Sequence, residues 1–181
     1  MKIYTKRGDD GSTGLLYGGR ISKADLRTEA YGTTDEAVAA LGAARAFVTD
    51  PGLAELLLRL QRQLFVAGAE LATAPANAAK LVAGQTRVDA AMVDELESLI
   101  DDYTARTRMP EEFVVPGESR GSAFLDLART IVRRAERRVV ELAAVDELPG
   151  SELVRWLNRL SDLLFVLARH EEGGFTPMRT D

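Results

Sequence analysis

A seam constrains this chain more than any other feature. Between Ser122 and Ala144 the residues Leu125, Ala128, Val132, Ala135, Val139 and Leu142 recur at alternating steps of three and four. That spacing lines side chains along one stripe of an α-helix and commits the stripe to packing against other helices. The same rhythm appears in four more segments. Thr28 to Phe47 is alanine-rich and stops near Asp50-Pro51-Gly52, and Leu53 to Thr73 repeats Leu56, Leu57, Leu60, Leu64 and Leu71 before Pro75. Val88 to Thr107 carries Met92, Leu96, Leu99, Ile100 and Tyr103; a last helix from Gly150-Ser151 buries Leu153, Trp156, Leu157, Leu160, Leu164 and Leu167. Five helices with short or medium connections predict an all-α fold, an up-and-down five-helix bundle. Met109 to Ser119, with a proline near each end of a short β-type run, is expected to be extended or looped.

A chain of 181 residues with 46% hydrophobic and 28% charged residues has the size and make-up of one globular domain. The expected division is an N-terminal loop over 1–26, a bundle over 27–172 and a tail over 173–181. The formal net charge of −5 speaks against a general nucleic-acid or membrane binder while leaving room for a local basic pocket. The absence of cysteine rules out disulfides, thiolate metal sites and a thiol nucleophile. With no apolar stretch of signal-peptide or membrane-span character, the expectation is a soluble cytoplasmic protein.

Ahead of the first helix stands TKRGDDGSTG, with Gly8, Gly11 and Gly14 at every third position. A phosphate loop of the GxxxxGK[ST] type is absent. Backbone amides freed by glycine, the hydroxyls of Thr5, Ser12 and Thr13, and the cations Lys6 and Arg7 nevertheless make a plausible triphosphate cradle. Asp9 and Asp10 oppose it unless they shape the loop or hold the waters of a magnesium ion. A glycine-rich turn with no ligand fits the same residues.

On the fourth helix Arg129, Arg133 and Glu136 fall at i, i+4 and i+7 and share one strip about a quarter turn from the apolar seam, with Arg134 and Arg138 expected further outward. Such a strip is either a solvated face of Arg/Glu pairs or a polyanion site, for which arginine's planar fork is suited. Asp35, in TTDEA, is a possible orienting partner for one arginine. Asn158, Ser161, Asp162 and Phe165 share a face of the last helix, as an inter-helix network or a cavity lining. His170, the single histidine, is read as a surface or helix-end residue.

Taken together, TKRGDDGSTG, GGRISKADLRTEAYGTTDE, FVVPGESRGSAFLDLARTIVRRAERRVVEL and WLNRLSDLLFVLAR resemble the PduO-type ATP:cob(I)alamin adenosyltransferase family, block by block and in that family's order. The resemblance implies a homotrimer with sites at subunit interfaces. It also implies transfer of the 5′-deoxyadenosyl group from MgATP to the cobalt of cob(I)alamin, giving adenosylcobalamin and triphosphate. By resemblance Thr5, Lys6, Gly8, Asp9, Gly11, Ser12 and Thr13 form the ATP loop, and Lys23 is a further phosphate-contacting lysine. Arg129, Arg133, Glu136 and Asn158 are ATP-side residues, and Asp35 partners the first arginine across an interface.

Phe113 matches the aromatic residue on the lower face of the corrin. There it displaces the lower axial base, and the resulting four-coordinate Co(II) becomes reducible. A corrinoid reductase and an adenosylcobalamin-dependent mutase or dehydratase are the implied partners. Two stretches depart from the family pattern: DEAVAALG where many members read close to DELN, and FVVPGES in place of leucine-proline-glycine-glycine. The alternative from another class is a non-catalytic bundle that carries or senses a nucleotide or corrinoid.

Overall fold

The computed structural model describes residues 3–145, 148 and 150–179. Its long elements are helices α1 (Leu26–Phe47), α2 (Pro51–Leu71), α3 (Ala90–Ala105), α4 (Arg120–Val145) and α5 (Leu153–Glu172). Each begins where local chemistry satisfies its first amides. Asp25, Asp50 and Asp89 cap α1, α2 and α3 through their carboxylates, and Pro51 opens α2, where a missing N–H costs nothing. The α4 start is a reciprocal serine box: Ser122 N donates to Ser119 Oγ at 3.0 Å, and Ser119 N donates to Ser122 Oγ at 3.1 Å. Gly173, at φ +63°, ends α5 in the left-handed conformation that favours glycine.

Packing follows the order α2, α1, α4, α5, α3 around the bundle, with α1 and α4 as the central pair. The seam residues of α4 meet Trp156, Leu157, Leu160 and Leu164 of α5, all fully buried. The last helix starts at Leu153 rather than at Gly150-Ser151, because Gly150 sits at φ +63° in a turn. Among the described residues no helix is long and apolar enough to cross a membrane.

Two small antiparallel ribbons decorate the bundle. Strand β1 (Ser12–Gly14) pairs with β2 (Arg20–Ser22) in the register Thr13↔Ile21, so the N-terminal loop is the limb of a hairpin. Strand β3 (Val114–Val115) pairs with β4 (Thr176–Pro177), and Met178 N donates to Phe113 O at 2.7 Å. The tail is therefore laid against the Phe113 segment by backbone hydrogen bonds as far as Met178. Met1, Lys2, Thr180 and Asp181, which complete the expected loop and tail, lie outside the described residues.

Candidate functional site

The N-terminal loop is held from within. Asp10 accepts from Ser12 N at 2.9 Å and Ser12 Oγ at 2.8 Å. Those two bonds, with Arg20 nearby, keep its carboxyl below the ordinary aspartate value. Lys6 and Gly11 take left-handed backbone, at φ +60° and +80°. Arg20, on β2, donates from Nε to Ser12 Oγ at 3.0 Å and from its terminal nitrogen to Arg7 O. Lys23 Nζ donates to Gly8 O at 2.7 Å. A Cβ at Gly8 would lie 3.1 Å from both that nitrogen and Ser12 O, so the close approach favours glycine.

Thr5, Gly8, Ser12, Thr13 and Lys23 line an open cavity of about 490 Å³, together with Arg7 and Arg20. Lys6, Asp9 and Gly11 do not line it; Lys6 and Gly11 shape the turn, with Asp9 N bonded back to Lys6 O. Asp10 is thus an architect of the loop, and Arg20 its clamp. The Ser12 pairing explains the first. The second was hidden in sequence because it depends on the hairpin register.

The hairpin is tied to one side of the bundle. Leu16 N donates to Ala72 O at 2.9 Å, and Arg27 Nη1 donates to Leu71 O and Thr73 O, each at 2.8 Å, capping the end of α2. Leu16 also lines a largely apolar groove of about 420 Å³ between α1 and α2. In that groove stand Tyr31, Val38, Phe65, which is 65% exposed, and Asp35. Among the described residues Asp35 has no ion pair within the protomer.

The arginine strip occupies a different side. Arg133 and Glu136 line a cavity of about 390 Å³ with Val140, and no residue of it is shared with the groove or the loop cavity. Asn158 Nδ2 donates to Glu136 Oε1 at 3.1 Å, bringing together two residues the sequence had assigned to one ligand. Arg159 holds Asn158 Oδ1 at 2.7 Å while its Nε donates to Glu97 at 3.0 Å. Arg134 and Arg138, expected to point outward, keep side chains 44% and 39% exposed and pair at their tips with Glu36 and Glu29 on α1. Their long stems span the α1/α4 contact, which a single-helix projection does not show.

Arg129 is held by a group the sequence reading did not single out. Its Nε donates to Asp126 Oδ1 at 2.9 Å, and Asp126 Oδ2 accepts from Arg169 Nη2 at 2.6 Å. Asp126 and Arg169 are each only 3% exposed, and Arg169 also pairs with Glu172. Burial disfavours the Arg169 charge. Hydrogen bonds and proximity to Glu172 and Asp126 outweigh it, holding that guanidinium above the ordinary arginine value. The signal was present as an i, i+3 pair in LDLAR; the third member, one helix away, was not.

Phe165 joins this array to a further cavity. The Arg129 and Arg169 guanidinium carbons lie 5.9 Å and 5.0 Å from its ring centroid. The same ring lines an open space of about 500 Å³ with Phe113, Pro110 and Met178. Phe113 is 87% exposed there. His170 has a structural place, with Nδ1 3.0 Å from Thr107 Oγ1 and its ring edge-on to Tyr103. Among the described residues no cluster of three or more His, Asp or Glu is arranged to hold a metal ion.

Comparison with known proteins bears on this arrangement. The family model described as cobalamin adenosyltransferase matches residues 3–171. A corrinoid adenosyltransferase of Citrobacter freundii is 42% identical over 171 residues, 94% of this chain and 95% of that protein. One from Mycobacterium bovis is 45% identical over 172 residues, 93% of this chain and 87% of that protein. Among solved structures, a phenylalanine-to-alanine variant of a PduO-type ATP:corrinoid adenosyltransferase from Lactobacillus reuteri, complexed with cobalamin and ATP, superposes with a TM-score of 0.88. It is 31% identical and covers 99% of this chain and all of that one. An arginine-to-lysine variant of the Lactobacillus reuteri protein, complexed with ATP, gives 0.87 at 30% identity over 98% of this chain and 100% of that one.

Proposed function

Because the chain belongs to the cobalamin adenosyltransferase family, we propose that it transfers the 5′-deoxyadenosyl group of ATP to the cobalt of cob(I)alamin. A cobalt(I) lone pair attacks the ribose C5′, a cobalt–carbon bond forms, the C5′–oxygen bond breaks, and its electron pair leaves on triphosphate. No general base is needed. Catalysis consists of holding C5′ against the metal and stabilising charge that grows on the leaving oxygen. Magnesium arrives with the triphosphate, whose oxygens supply most of its ligands.

One observation carries this reading: Phe165 touches the guanidinium array on one side and lines the Phe113 cavity on the other. A nucleotide on the arginine strip and a flat macrocycle against Phe113 would therefore meet. Phe113 would sit on the lower corrin face, excluding an axial donor and leaving Co(II) easier for a reductase to convert to Co(I). The product would pass to an adenosylcobalamin-dependent mutase or dehydratase.

The nucleotide site is shared between copies. Loop and Asp35 lie on the α1/α2 side, whereas Arg129, Arg133, Glu136 and Asn158 lie on the α4/α5 side. Two different surfaces meeting head to tail form a ring when the rotation between copies closes, and the homotrimer implied by resemblance is such a ring. Asp35 then reaches the next copy's Arg129, whose Nε is already held by Asp126. Incubation with MgATP and chemically reduced cobalamin, followed by the visible spectrum, tests the reaction. The adenosylcobalamin spectrum is expected; binding of both ligands with no product would identify a carrier instead.

A further inference from the structure

Asp126 has both carboxylate oxygens committed, Oδ1 to Arg129 Nε at 2.9 Å and Oδ2 to Arg169 Nη2 at 2.6 Å. It is 3% exposed, so it touches no ligand in solvent, and its charge stays buried only because arginines flank it. Arg169 is equally buried and is fixed by Glu172 on its own helix. The chain of contacts runs from a rigid anchor inside α5, through a carboxylate on α4, to a guanidinium at the boundary of the strip. Arg129 has four rotatable side-chain bonds, and an unanchored arginine would lose that freedom only on meeting ligand. Anchoring its Nε removes that cost beforehand and leaves the other guanidinium nitrogens for an oxygen-rich ligand.

We infer that Asp126 is a positioning residue, which, backed by buried Arg169, pre-orients Arg129 toward the triphosphate. The inference rests on the proposed nucleotide-dependent transfer and adds to it the device that aims the first arginine of the strip. It makes a specific demand on chemistry. Asparagine has the same shape but a single acceptor oxygen, which the buried Arg169 Nη2 keeps. Its amide nitrogen then faces Arg129 Nε, two donors in contact where an ion pair stood. Asp126→Asn should therefore release Arg129 without emptying the core.

The test is a double-mutant cycle read by MgATP affinity in titration calorimetry and by kcat and KM for adenosylcobalamin formation. Asp126→Asn alone is expected to weaken MgATP binding or lower kcat by about tenfold, within the range a misaimed charged contact gives. In an Arg129→Ala background the same change should add little, below about twofold. An equal loss in both backgrounds would make Asp126 a structural group only and overturn the inference, as would unchanged affinity and turnover in folded Asp126→Asn. If Asp126→Asn does not fold, Arg169→Lys enters the same cycle: it keeps a cation opposite Asp126 but lacks the fork that holds Asp126 and Glu172 together. If the unaltered protein binds MgATP yet forms no adenosylcobalamin, the transfer reaction fails while the affinity cycle still decides the role of Asp126.

Discussion

Phe113→Ala should separate stability from function more cleanly than any other single change. The ring is 87% exposed, so roughly an eighth of it is covered by protein. Full burial of a phenylalanine is worth about 1.5–3 kcal/mol, and that eighth amounts to about 0.2–0.4 kcal/mol. For a domain of this size the melting temperature then falls by less than about 2 °C. Leu157→Ala, at a fully buried position of α5, is the control and should cost about 2–5 kcal/mol. The functional loss runs the other way. If a corrin covers one face of the exposed ring, about 80 Å² leaves water, worth about 2 kcal/mol, or a factor of about 30 in corrinoid affinity. Calorimetric melting, corrinoid titration and electron paramagnetic resonance of bound Co(II) read the three quantities. A melting drop of several degrees would contradict the exposure argument, and an unchanged four-coordinate Co(II) signal would remove Phe113 from the lower face.

Arg133→Ala is expected to abolish adenosylcobalamin formation with far-ultraviolet circular dichroism and melting unchanged, since Arg133 is exposed and carries no ion pair among the described residues; wild-type turnover would take the strip out of the mechanism. Gly8→Ala places a methyl 3.1 Å from Ser12 O and Lys23 Nζ. Titration should show MgATP affinity falling by about tenfold, and full affinity would mean that the loop relaxes freely. Glu70, 3% exposed, has its carboxyl pushed above the ordinary glutamate value of 4.5 chiefly by burial, opposed by hydrogen bonds from Ser151 and Val88 N. The folded state then holds this proton more tightly than the unfolded state. Its contribution is complete below the unfolded value and is lost as pH rises through the raised folded one. Urea titrations from pH 4 upward should show that loss in the parent and a flatter profile in Glu70→Gln; identical profiles would assign the pH dependence elsewhere.

Local periodicity was enough to read the bundle, because each helix carries its own apolar stripe and its own stop. Val139 and Leu142 are core in the structure for the reason their spacing gives. The ends were less legible: Gly150 sits in a left-handed turn, so α5 starts at Leu153, three residues beyond the glycine. Site residues divided along the same line. Thr5, Gly8 and Ser12 follow one another along the chain, and their common cavity could be anticipated. The Arg20 clamp depends on the pairing Gly14↔Arg20, a hairpin register set by the intervening turn and not by the spacing of the charges. Asp126, Arg169 and Phe165 come from two helices whose relative rotation is set by core packing, and only coordinates bring them within reach. Phe113 was named by resemblance, since in sequence it is one aromatic residue in a loop.

Whether one nucleotide is gripped by two copies of the chain is the central claim, and mixed oligomers test it directly. Lys23→Ala removes a loop cation and Arg133→Ala a strip cation, and each variant alone should be inactive. Co-assembled in equal amounts, they should regain about a quarter of the parent activity, because a site built from neighbouring copies has about one chance in four of drawing an intact loop and an intact strip. If loop and strip serve the same copy's site, every site in the mixture is damaged. No recovery at any mixing ratio, in oligomers shown to contain both variants, would contradict the account.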